Sequence, residues 1–181
     1  MMMRKTALLF GLVCLAGVHS ASAHRLDEYL QATTVDLARE GITLSLRLTP
    51  GVEVADRVIP QIDRNGDGEF SADEQQAYAA RIAQSLTVMV NGKPVSLHVK
   101  SGSFPTLAAI KGGEGVIRLQ FAIPTALKKG RYHLAYTNHG AGAETAYLVN
   151  CLQPEDTTIR VQEQKRSPDQ ASYQLDFTVG E

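Results

Sequence analysis

The sequence predicts a mainly β fold, an antiparallel β-sandwich with an inserted helix-loop-helix, and three observations carry that expectation. The stretch "ITLSLRL" alternates strictly, with Ile42, Leu44, Leu46 and Leu48 on one face and Thr43, Ser45 and Arg47 on the other. That is the period of a strand with one buried face. Eight or nine short runs of strand character are separated by turns containing Gly, Pro or Asp, the spacing of a sandwich. Only once, between about residues 53 and 86, does the apolar period change to that of a helix.

The first segment is not part of the fold. "MMMRKTALLFGLVCLAGVHSASA" places Arg4 and Lys5 before an apolar run from about Thr6 to Val18, then small residues. This is the layout of a secretory signal peptide over residues 1–23, too short to span a membrane. Ala21-Ser22-Ala23 offers an A-x-A cleavage site that leaves His24 as the new N-terminus, and cleavage after Ser20 is the alternative. Val13, rather than a small residue, precedes Cys14, which argues against a lipoprotein. No later run reaches the roughly 20 apolar residues of a transmembrane helix. The expectation is an exported chain, periplasmic or secreted, with no transmembrane segment. Cleavage removes Cys14 and leaves Cys151 in the apolar run "AYLVNCLQP", where a buried, inert thiol is expected.

After His24, "YLQATTVDL" and "ITLSLRL" read as two strands joined at "AREG", and Pro50-Gly51 ends the second. In "VEVADRVIPQI", Val54, Val58 and Ile62 fall at helical spacing, with Pro60 expected to shorten or bend the helix. "SADEQQAYAARIAQSL" opens on Ser71 with Glu74 three residues on, a capping box, and Tyr78, Ile82 and Leu86 form its apolar stripe. From Leu86 the chain returns to strands. "LTVMVNGKPVSLHV" reads as a hairpin on an Asn91-Gly92 turn of type I′, with Val95, Leu97 and Val99 inward. "GVIRLQFAI", "RYHLAY", "TAYLVN", "TIRVQEQ" and "YQLDFTV" follow, while Ser101-Gly102-Ser103 reads as loop and "GGEG" (112–115) as a hairpin turn. No repeat or linker divides the chain, so one domain with a helical insert covers residues 24–181.

Between the two helices lies "DRNGDGEFSADE", and every position that a calcium loop constrains is filled. Asp63, Asn65 and Asp67 occupy positions 1, 3 and 5, where side-chain oxygens converge on the hard cation. Gly68 at position 6 permits the sharp turn, and Glu69 at position 7 offers its backbone carbonyl. Ser71 at position 9 serves directly or through water, and Glu74 at position 12 closes the site with two oxygens. Phe70 anchors the loop. With helices on both sides, residues 53–86 resemble an EF-hand, which implies a bound Ca²⁺. Sensor proteins use paired hands that open a groove on binding. This chain has no second loop, so a structural clip is expected rather than a switch.

His24 is the other metal candidate. An exposed α-amine beside an imidazole chelates Cu²⁺ or Ni²⁺ when further ligands complete the site. The other histidines beyond the leader, His98, His133 and His139, show no H-x-x-H or H-x-H spacing and read as solvent-facing. Motifs of known chemistry are missing: no G-x-S-x-G, no P-loop, no H-E-x-x-H and no G-x-G-x-x-G. The chain is therefore read as a binding or assembly module and not an enzyme. A formal charge of -1 without clustered Lys and Arg argues against a nucleic-acid partner.

Taken together, "AHRLDEYLQAT", the calcium insert, "VMVNGKPVSL" and "AYLVN…QKR…YQLDF" resemble the extracytoplasmic N-terminal segments of HupE/UreJ-type membrane proteins. That group is associated with nickel or cobalt handling, and the likeness covers roughly residues 23–178. It implies a soluble head domain beside a membrane-protein partner. Transport is not implied, because the sequence reaches Glu181 without the family's membrane helices. The two functional expectations are thus a calcium-clipped binding module and, as alternative, a periplasmic copper or nickel binder using His24 to serve a membrane transporter.

Overall fold

The computed structural model describes residues 27–140, 142 and 144–181. The expected signal peptide, its cleavage site and His24 lie outside them. Two five-stranded sheets face each other. The first is built from β1 (Tyr29–Ala38), β2 (Gly41–Pro50), β5 (His98–Ser103), β6 (Ile117–Ile123) and β8 (Thr145–Cys151), in the order β5-β6-β2-β1-β8. The second contains β3 (Leu86–Val90), β4 (Lys93–Pro94), β7 (Gly130–Asn138), β9 (Ile159–Arg166) and β10 (Ser172–Val179), in the order β4-β3-β7-β10-β9. The fold is therefore a mainly β sandwich, as the alternating patterns predict. Helices α1 (Val52–Ile62) and α2 (Ala72–Gln84) connect β2 of one sheet to β3 of the other.

The alternation in β2 does what it predicts. Ile42, Leu44, Leu46 and Leu48 are all at most 1% exposed, and they belong to one continuous core with Val88, Leu134, Leu175 and Phe177 of the other sheet. Full burial of such a side chain is worth about 1.5–3 kcal/mol, so the alternation alone fixes which face turns inward. Two polar residues of β1 also point inward and are satisfied across the layers. Asn138 Nδ2 donates to Gln31 Oε1 at 2.8 Å, and the Thr33 hydroxyl lies 2.8 Å from that of Tyr136.

Several local expectations are corrected. Not every pairing is antiparallel: β1 runs parallel to β8, from Tyr29 beside Thr145 to Val35 beside Cys151. The hairpin at Asn91-Gly92 is real but short. Both residues have positive φ (50° and 75°), as a type I′ turn requires, yet the returning strand is only Lys93–Pro94, with one further bond from Val95 N–H to the Val88 carbonyl. The chain then crosses to the other sheet, where Val99 is 43% exposed rather than inward, because β5 is an edge strand with no face against the core. Ser101, Gly102 and Ser103 belong to that strand and pair with β6. "GGEG" follows a short helix, α3 (Leu107–Lys111), and is its C-terminal turn rather than a hairpin turn. Leu86 opens β3 instead of closing α2.

Pro60 does not shorten α1, which continues through Ile62. Val54, Val58 and Ile62 are buried at the spacing expected, and their burial offsets the carbonyl that Pro60 leaves without a donor. Cys151 is buried, and desolvation raises its thiol to about 11, which keeps it protonated and unreactive at neutral pH. Among the described residues, no helix is long and apolar enough to cross a membrane.

Candidate functional site

Helix α1 ends where Asp63 leaves helical geometry, its N–H bonded to the Ile59 carbonyl at 2.9 Å. The loop then turns twice through left-handed backbone, at Gly66 (φ +73°) and Gly68 (φ +86°), where a side chain would be strained. Those turns direct two N–H groups at one carboxylate: Gly66 donates to Asp63 Oδ1 at 2.7 Å and Gly68 to Asp63 Oδ2 at 2.9 Å. Asn65 Oδ1 accepts from Asp67 N–H, and Asp67 Oδ1 accepts from Glu69 N–H. The loop folds around its own acidic side chains.

Ser71 caps α2, and the expected capping box forms in full. Glu74 Oε2 accepts from the Ser71 N–H (3.0 Å) and hydroxyl (2.7 Å). Its Oε1 accepts from Arg64 N–H (2.8 Å) and Asn65 N–H (3.3 Å), which ties the start of α2 back to the start of the loop. The Ser71 hydroxyl, then the Ser71 and Arg64 N–H groups, hold this carboxyl down to about 2. Glu74 is therefore ionised at any physiological pH. Asp63 and Glu74 are both buried, and none of the ion pairs among the described residues involves Asp63, Asp67 or Glu74. Of the five carboxylates in this twelve-residue loop, those of Asp63, Asp67 and Glu74 are held by N–H and O–H dipoles.

The donor set suits a hard cation: carboxylates, an amide, a hydroxyl and the Glu69 carbonyl, with neither sulfur nor imidazole. Asp63 accepts two hydrogen bonds and keeps lone pairs free, since a carboxylate has about four acceptor positions. Glu74 accepts four. Among the described residues, no three His, Cys, Asp or Glu side chains converge closely enough to hold a metal. Closing the site on a cation would exchange some of the four Glu74 hydrogen bonds for metal–oxygen bonds.

The hand is rooted by residues that sequence patterns did not single out. Phe104, just past the end of β5, packs edge-on to Phe70 of the loop and to Tyr78 of α2, with centroids 6.5 and 5.9 Å apart. The Tyr78 hydroxyl lies 2.6 Å from that of Tyr29 on β1, and both are buried. The one sequence signal for Phe104 is an aromatic alone among small polar residues in "SGSFPT". The histidines stay apart. His98 is exposed on β5, His133 pairs with Asp176 (2.7 Å), and His139 bonds Thr87 (3.0 Å).

No protein-family model, no curated protein and no solved structure matches this chain.

Proposed function

We propose that the protein is an exported calcium-binding module in which a single EF-hand clips the crossover between two β-sheets. Calcium would be held by the side-chain oxygens of Asp63, Asn65, Asp67 and Glu74, the Glu69 carbonyl, and Ser71 directly or through water. The observation that carries this reading is the excess of negative charge: five carboxylates and one guanidinium, Arg64, share a loop whose glycines are already in the conformation that a calcium loop needs. A cation would supply compensation that the ion pairs among the described residues do not bring to Asp63, Asp67 and Glu74. The setting favours a clip over a switch. Both helices bury their apolar faces in the core of the sandwich, so no groove waits between them to open. Such a module serves binding or assembly beside a protein partner, consistent with an outside environment where calcium is steady.

Thermal melts in EDTA and in millimolar Ca²⁺ test the proposal. Calcium at ten times its dissociation constant adds about 1.4 kcal/mol by mass action, a rise of roughly 3–6 °C for a domain of this size. An unchanged melt in calcium would refute the clip. A shift produced by Cu²⁺ or Ni²⁺ alone would move the function to His24.

A further inference from the structure

The outer face of the first sheet carries a conflict of charge. On β2 and β6, Leu46, Leu48, Ile117 and Leu119 are at most 1% exposed, so the alternate residues Arg47 and Arg118 point away from the core, and both are exposed. The register sets these two arginines directly opposite each other. Like charges facing across a strand pair are destabilising. The chain brings no acid to relieve them, since neither enters any ion pair among the described residues. Their donors are almost unused: Arg118 Nη1 makes one long bond to the Val116 carbonyl, at 3.4 Å. Arg131 and Arg160 of the second sheet also lack an ion pair, but each faces Thr178 rather than another cation. The row continues across the first sheet, with Arg47 beside Ala32 and Ala32 beside Leu148, which is 46% exposed on the edge strand.

We infer that this row docks an acidic segment of a partner protein. Two carboxylates of that segment meet Arg47 and Arg118, and an apolar side chain reaches Leu148 across Ala32. Charge complementarity selects this occupant. A guanidinium fork matches a carboxylate in shape as well as in charge, so two carboxylates turn one repulsion into two paired contacts. An anionic membrane fits less well: surfaces that read its lipids carry roughly four to eight basic residues, and this row has two. The inference is independent of calcium, because no residue of the loop belongs to these strands.

The test uses acetyl-Glu-Ser-Glu-Ser-Leu-amide, which when extended sets both carboxylates and the leucine on one face, and its counterpart with Lys in place of Glu. Titrated into the isotope-labelled protein at low salt, the Glu peptide should shift the backbone NMR signals of Arg47, Arg118 and Leu148, and the Lys peptide should not. Arg47→Glu should weaken binding roughly tenfold, as loss of a complementary interface charge does. The same variant should melt higher than the parent, because Glu opposite Arg118 replaces repulsion with attraction. Arg118→Glu should repeat both results, which keeps the reading if one variant disturbs its strand. Arg160→Glu makes an equal charge change on β9 of the other sheet and should leave binding unaltered. No shift with the Glu peptide, an equal loss in Arg160→Glu, or a lower melting temperature in both Arg47→Glu and Arg118→Glu would overturn the inference. So would binding to phosphatidylglycerol vesicles that Arg47→Glu abolishes, which would assign the row to a membrane.

Discussion

Removing the hydroxyl of Tyr78 perturbs one contact between the helical insert and the first strand while keeping the ring. Tyr78 is 2% exposed and Tyr29 6%, and their hydroxyls meet at 2.6 Å. In Tyr78→Phe the Tyr29 hydroxyl stays buried and loses its partner. An orphaned buried group costs about 1–3 kcal/mol, and Tyr29→Phe should cost the same for the mirror reason. The ring of Tyr78 still packs on Phe104, so no large cavity adds to the loss. When both hydroxyls are removed, neither side is left with an unmet group, and the double variant should lose less than about 1 kcal/mol. A double-mutant cycle should therefore give a coupling of at least about 1 kcal/mol, with the double variant more stable than additivity predicts. Urea unfolding followed by far-UV circular dichroism measures each value, and an unchanged denaturant slope validates the comparison. Each single variant should melt about 2–12 °C lower. A double variant that loses the sum of the two single losses would refute the reasoning.

Glu74→Gln should weaken calcium binding at least tenfold in titration calorimetry, since one of the closing oxygens is lost; Gln still serves a capping box, so helix content should hold, and equal affinity would show that Glu74 is not a ligand. The Asp156 carboxyl is held below its ordinary value, first by the Thr158 hydroxyl, then by the Thr158 N–H and Arg39. A depressed carboxyl stabilises the fold above its unfolded value and stops doing so in acid. Asp156→Asn should therefore melt below the parent at pH 6, with the gap closing as pH falls below 3.8; a constant gap would contradict this. Cys151, raised to about 11, has about one thiolate in a thousand at pH 8, so peptide mapping after iodoacetamide should find it modified only once the protein is unfolded. Gly115→Ala should destabilise by about 1–3 kcal/mol, because its Cβ would sit 2.8 Å from the Ile110 backbone nitrogen. Gly112→Ala, with 3.5 Å of room, should cost clearly less in the same melts.

What was legible in the sequence is what neighbouring residues decide. The strict alternation of Ile42 to Leu48 fixed a strand and its inward face. Val54, Val58 and Ile62 marked α1, Ser71 and Glu74 marked the start of α2, and the loop chemistry is complete within twelve residues. What was not legible depends on distant partners or on backbone alone. Nothing in "TAYLVN" says that β8 lies parallel to β1, since an apolar run encodes burial and not the identity of its neighbour. β5 has no buried residue in "HVKSGS", so no period reveals it, and its pairing with β6 is carried by main-chain bonds. α3 is a single turn and a half with one buried side chain, Ile110, too short for a helical period to register. The Tyr29–Tyr78 contact joins residues that look like unrelated members of a strand and a helix.

The parallel pairing of β1 with β8 has a consequence for how the chain reaches this state. β1 and β2 are joined by a tight turn and can zip together as soon as both are made. The other edge of β1 must wait from residue 29 until residue 145 has emerged. Long-range pairing of this kind is slow relative to hairpin closure. During that interval the backbone of β1 is open to any strand nearby, including the same strand of another molecule. Refolding yield should therefore fall with protein concentration, and the loss should set in before β8 docks. The last strand to join the first sheet is thus a guard against self-association as well as a structural element.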